Sequence, residues 1–215
     1  MKEKSRQLDK LAINTEHNEM IELVVKPGQS LDVQKLKTLL AANKMDSSAI
    51  YHWQNHYVLF DKVQDIGVMQ GRLQNNFPGV EVKVYPDLFY NFNRSYCADK
   101  STAKAWDHIL LTCNLVADKK MQQQYLDYHA TQFEKWPEIS NGFCNAGFQQ
   151  LLIYRNGRQL ILVISIPGGE SLDKLNPKTR ENNPRVDEWN KLMGRFQEGI
   201  EGTKKGESWV FLGKL

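Results

Sequence analysis

The chain has 215 residues, 41% apolar and 25% charged, and a net charge of +3 at neutral pH. This composition is ordinary for a globular protein and excludes disorder or collagen-like repetition for the chain as a whole, while the charge is too small and too dispersed to point to nucleic acid. No stretch approaches the roughly 20 apolar residues that cross a bilayer, and Cys97, Cys113 and Cys144 form no CxxC pair, so buried or incidental thiols are expected rather than a disulfide framework or a zinc knuckle.

Residues 1–18 are polar and lack a period, which predicts a tail. They carry no apolar segment of a secretion signal, so a cytoplasmic location is expected. Met20 to Lys26 reads as a strand ended by Pro27-Gly28. Ser30 is expected to cap a helix that presents Val33, Leu36, Leu39 and Leu40. Two β-rich runs, 49–53 and 56–60, flank Gln54-Asn55 and predict a hairpin. Ile66, Met69 and Leu73 share a helical face that stops at Asn76 to Gly79, and Val80, Val82 and Val84 then alternate with Glu81 and Lys83 as in a half-buried strand. The order β-α-β-β-α-β over 19–88 matches the ferredoxin-like motif. Residues 89–105 depart from it and are expected to be a linker whose aromatic part packs on a domain surface.

The order begins again at 106. His108 to Val116 is a strand, and Asp118 can cap a helix running to about Phe133. Pro137 suits the first turn of a second helical piece, for which Gly147 is the C-terminal stop. Runs 148–155 and 158–166 flank Asn156-Gly157, the strongest hairpin signal in the chain. Residues 170–184 read as a long polar loop, either a lid or a plain connection. A helix from Pro184 to about Glu198 turns Val186, Trp189, Met193 and Phe196 inward, and 208–212 is a last strand. The expected fold is α+β: two ferredoxin-like βαββαβ domains, 19–88 and 106–215, of the dimeric α/β-barrel type. Their open sheet faces would be buried by intramolecular pairing of the two domains or in a homodimer.

Met121, Tyr125 and His129 recur every four residues and share one face of the helix after Asp118. Met121 marks that face as inward, so a phenol and an imidazole are delivered to the interior, as a small acid/base site needs; a satisfied core histidine is the plainer alternative. In the first domain, His52 and His56 are four apart on a hairpin rather than a helix, so no metal site is expected there. Gly168-Gly169 lacks the context of a phosphate loop and reads as a strand-end turn.

YLDYHATQFEKWPEI, the Ala146-Gly147 stop, IYRNGRQLILVISI, NNPRVDEWNKLMGRFQ and the terminal WVFL strand, taken in order, resemble the L-rhamnose mutarotase family over about 106–215. The resemblance implies a ferredoxin-like unit that dimerises through its sheet. It also implies a reaction that interconverts the α and β anomers of a free deoxyhexose such as L-rhamnose, with a monosaccharide as partner and without cofactor or metal. It assigns His129 and Tyr125 to catalysis, and Trp189, Trp136 and Tyr154 to the sugar. Leu151 stands where some members carry a tyrosine and Asn190 where they carry a second tryptophan, and His129 and Trp136 are three residues further apart than in many members. Leu151, Asn190 and the extra first domain favour the alternative, a non-catalytic sugar-binding or assembly protein that retains the fold. A cofactor-free monooxygenase or haem-handling protein is a third reading, by analogy of fold alone.

Overall fold

The computed structural model describes residues 18–215. All of the tail expected over 1–18 except Asn18 lies outside them. The chain is α+β and divides into two compact units. One runs through Val84 and takes in Lys214–Leu215; the other spans Tyr85–Gly213. Among the described residues no helix is long and apolar enough to cross a membrane.

The first unit contains β1 (Glu19–Val24), α1 (Val33–Ala42), β2 (Ile50–Trp53), β3 (His56–Asp61), α2 (Ile66–Asn76) and β4 (Glu81–Val84). Its strands are antiparallel in the order β4-β1-β3-β2. Period-two alternation sends Ile21 and Leu23 of β1, Leu59 of β3 and Val82 of β4 to one face. There they pack with Leu36 and Leu40 of α1 and Met69 and Leu73 of α2. Burying each such side chain contributes about 1.5–3 kcal/mol. The cap of α1 is Asp32, not Ser30: its carboxylate accepts from the Lys35 N–H at 2.9 Å. An ionised acceptor there also meets the helix dipole, which a serine two residues earlier does not.

The second unit contains β5 (Asp87–Asn93), β6 (Trp106–Leu115), α3 (Lys119–Ala130), α4 (Gln132–Lys135), α5 (Pro137–Asn145), β7 (Gln150–Asn156), β8 (Gln159–Pro167), α6 (Leu172–Leu175), α7 (Arg185–Met193), β9 (Gln197–Glu198) and all but the last residue of β10 (Val210–Lys214). The strands run antiparallel in the order β10-β6-β8-β7-β5, and β9 pairs with β6. Gly157, at φ +61°, makes the tight β7–β8 turn. The core gathers Leu111 and Cys113 from β6, Leu151 and Ile153 from β7, Ile164 from β8, and Tyr125, Ile139 and Trp189 from the helices.

Four further local expectations change. The stretch expected as a linker, 89–105, holds most of β5, which pairs with β7 along Asp87↔Arg155 to Asn93↔Gln150, and Arg155 donates to the Asp87 carboxylate at 2.9 Å. Cys97, just after β5, is bonded to Cys144 of α5, so only Cys113 among the three is a free, buried thiol. The helix after Asp118 breaks at Thr131, whose hydroxyl donates back to the Asp127 carbonyl. The helix from 184 ends at Met193 and gives way to a 3-10 turn over Gly194–Phe196 and then β9.

Candidate functional site

Asp118 starts α3 by accepting from the N–H groups of Lys120 and Met121 at 2.8 and 3.0 Å, and that start fixes which face of the helix turns inward. Tyr125 and His129 lie on that face, 1% and 6% exposed. They line a cavity of about 450 Å³ inside the second unit, together with Trp189 of α7. Its apolar wall is one face of β7 and β8: Leu151 pairs with Ile164 and Ile153 with Leu162, so all four side chains point the same way. Asn176, Arg180, Asn190 and Ser208 add the polar groups of the lining.

His129 Nδ1 lies 2.9 Å from the carbonyl oxygen of Tyr125. A carbonyl can only accept, so Nδ1 carries the hydrogen and Nε2 keeps its lone pair. Four aromatic rings surround the imidazole: Tyr125 at 4.2 Å, Tyr90 and Trp189 at 5.2 Å, and Phe89 at 5.8 Å between centroids. Burial disfavours the imidazolium and lowers the pKa to about 4, although the bond to the Tyr125 carbonyl works the other way. The ring is therefore a neutral base at physiological pH.

Burial also pushes the Tyr125 hydroxyl well above the ordinary phenol range. That oxygen accepts from Gln197 Nε2 at 3.3 Å, and Gln197 Oε1 accepts from the Trp209 indole N–H at 3.0 Å. With its oxygen engaged as an acceptor, the hydroxyl hydrogen is left to donate. A neutral base and a neutral acid thus stand side by side in a cavity with an aromatic wall. This arrangement can move one proton on and another off a small polar molecule.

Of the five residues picked out in the sequence, Tyr125, His129 and Trp189 come together. Trp136 does not line the cavity. Its ring lies behind Trp189 at 5.5 Å, and the Arg185 guanidinium covers it at 3.8 Å, so it braces the wall. Tyr154 is buried but falls on the other face of β7 from Leu151 and Ile153, because side chains alternate along a strand. The polar 170–184 stretch is not structureless: it forms α6 and a 3-10 turn over Asn176–Arg180, and both ends of that turn line the cavity. No sequence signal marks Tyr90, Gln197 or Trp209 as site residues. Gln197 follows a 3-10 turn that breaks helical periodicity, and Tyr90 lies in the stretch expected to be a linker.

Residues 108–215 match the family model described as L-rhamnose mutarotase. An L-fucose mutarotase of Xanthomonas campestris pv. campestris is 32% identical over 99 residues, which are 46% of this chain and 77% of that protein. A UPF0734 protein of Dictyostelium discoideum is 29% identical over 121 residues, 53% of this chain and 85% of that one.

Proposed function

The chain belongs to the L-rhamnose mutarotase family and is a carbohydrate mutarotase; from that premise we propose that it interconverts the α and β anomers of a free 6-deoxyhexose of the L-rhamnose or L-fucose kind, with His129 as base and Tyr125 as acid. The anomeric hydroxyl gives its proton to His129 Nε2 while the Tyr125 hydroxyl protonates the ring oxygen. The bond between the anomeric carbon and the ring oxygen breaks, and the open-chain aldehyde forms. Rotation about the bond next to the carbonyl presents its other face. Reclosure returns the His129 proton to the new anomeric hydroxyl and the ring-oxygen proton to Tyr125. No net proton is consumed. General acid and base contributions of about 10²–10⁴ each suit a reaction that already proceeds slowly in water.

One observation carries the assignment: the His129 Nδ1–H is committed to the Tyr125 carbonyl, which leaves Nε2 as a neutral acceptor in the cavity. Trp189 supplies a flat apolar surface for the sugar's C–H face, and the apolar β7–β8 wall suits a methyl group in place of a hydroxymethyl. The test is anomer exchange by NMR with L-rhamnose and L-fucose, wild type beside His129→Ala. Exchange accelerated by the wild type and lost in the variant is expected; no acceleration with either sugar would overturn the reading.

We also infer that both units are ferredoxin-like repeats of one duplicated design, of the kind that buries a sheet face by barrel-type pairing. The supporting observation is the shared strand order, β4-β1-β3-β2 in one and β10-β6-β8-β7 in the other, each read within its own unit. Sedimentation of the full chain at two concentrations distinguishes pairing within one chain from a homodimer.

A further inference from the structure

Building on the acid/base reading above, we propose that Phe89 and Tyr90 of β5, which lie upstream of the segment matched to the family, are positioning residues of the site: they hold the His129 ring in place and keep water from it.

Successive residues on a strand point to opposite faces, so two adjacent side chains cannot ordinarily reach one target. Here they do, because β5 carries a bulge. Leu88 pairs with Tyr154 and Tyr90 with Ile153, which leaves Phe89 as an extra residue between them. Both rings then meet His129 edge to face, at interplanar angles of 78° for Phe89 and 88° for Tyr90. Phe89 also reaches Tyr125, 6.1 Å between centroids.

The strand is anchored on both sides of this contact. The Tyr90 hydroxyl donates to Gln132 Oε1 at 2.6 Å, and Gln132 Nε2 donates to the Trp136 carbonyl at 2.7 Å, which ties β5 to the turn between α4 and α5. The Tyr90 ring stacks on Phe133 at 5.5 Å. Beyond the strand, the Cys97–Cys144 bond joins the following turn to α5.

The rings packed against His129 carry no charge. Its own helix offers Tyr125, β5 offers Tyr90, and α7 offers Trp189. Gln197 of β9, bonded to the Tyr125 hydroxyl, is neutral, and Arg180 is the charged member of the cavity lining. Exclusion of water, rather than a partner ion, therefore keeps the imidazole neutral.

The measurement is the pH titration of the His129 ring by NMR in the full chain, with His129→Gln identifying its signal. In the wild type a midpoint near 4 is expected. Phe89→Ala opens the wall, and its midpoint should rise by about one unit or more toward the solvent value, with kcat/KM at neutral pH falling about tenfold or more as the ring loses its position. Phe89→Val, a milder opening, should move the midpoint in the same direction and serves if the alanine variant does not fold. Tyr90→Phe keeps the ring against His129 and removes only the anchoring hydroxyl, so its midpoint should move less than that of Phe89→Ala. A midpoint unchanged in both Phe89 variants would overturn the proposal. Failure of the wild type to accelerate anomer exchange would instead overturn the acid/base reading, and the titration would still decide whether β5 forms the wall.

Discussion

His129 donates its Nδ1 hydrogen to the backbone carbonyl of Tyr125, 2.9 Å away and one helical turn back. One bond thereby fixes the tautomer, the ring orientation and the free nitrogen of the base. The residue that supplies this acceptor also supplies the neighbouring acid, through its side chain. Any distortion of this turn of α3 disturbs both members of the pair together.

Buried His129 makes stability depend on pH. In the unfolded chain it protonates near the ordinary imidazole value of 6.5, and in the folded chain only near 4. Between those values the unfolded state binds more protons. Stability is therefore full above pH 6.5 and falls as pH drops toward 4, by about 3 kcal/mol. Urea unfolding at pH 7 and pH 4.5 should show this loss, and His129→Gln should remove most of it. Enzymatic exchange, after subtraction of the spontaneous rate, should stay nearly level from pH 7 down to about 5.

Tyr125→Phe keeps the ring against His129 and Phe196 and removes only the hydroxyl. The rate of exchange should fall about 10²–10⁴-fold, with a smaller change in sugar binding. The Gln197 amide also loses its acceptor, which costs about 1–3 kcal/mol. Equal losses in binding and rate would mean that the hydroxyl holds the sugar without taking part in the proton transfer.

The Cys97–Cys144 bond closes a loop of sequence separation 47 that contains Tyr125, His129 and Trp136. By loop-closure entropy such a bond contributes about 4 kcal/mol. Reduction should lower the melting temperature by on the order of 10 °C, and Cys97→Ala/Cys144→Ala should show the same fall with or without reductant. Disulfides of this kind persist in oxidising surroundings. The cytoplasmic location expected from the sequence therefore carries a condition, and thiol alkylation of the protein taken directly from its own cells tests whether the bond is formed there.

Gly142 sits where α5 meets the 3-10 turn of Asn176–Arg180. A Cβ added there would lie 2.6 Å from the Thr179 carbonyl oxygen, a backbone atom that cannot swing aside. Gly142→Ala should cost about 1–3 kcal/mol. Because that turn bears Asn176 and Arg180, KM should rise more than kcat falls. Thermal melting and a kcat/KM comparison check both parts.

Much of this was readable in the residues. Alternation at Val80, Val82 and Val84, Asn156-Gly157 between two apolar runs, and Asp118 ahead of α3 are local signals with local causes, and each element stands where its signal lies. The shared face of Tyr125 and His129 follows from helical period alone. β5 was hidden by its own bulge: Leu88, Phe89 and Tyr90 run together without alternation, so period two disappears where the strand matters most. The disulfide was hidden because its partners are far apart in sequence and belong to no motif. Tyr154 shows the opposite limit. A strand can be identified from its residues while the face of a given side chain depends on which neighbours line the cavity, and only the fold supplies that.

Trp136 and Trp189 stand 5.5 Å apart at 62° to one another, with Trp189 against His129. Two indoles held in a fixed, non-parallel arrangement couple electronically. Near-ultraviolet circular dichroism, which vanishes when tertiary packing loosens even if helices survive, should carry their signature. The protein thus contains an optical gauge of its own cavity, readable without substrate, label or turnover.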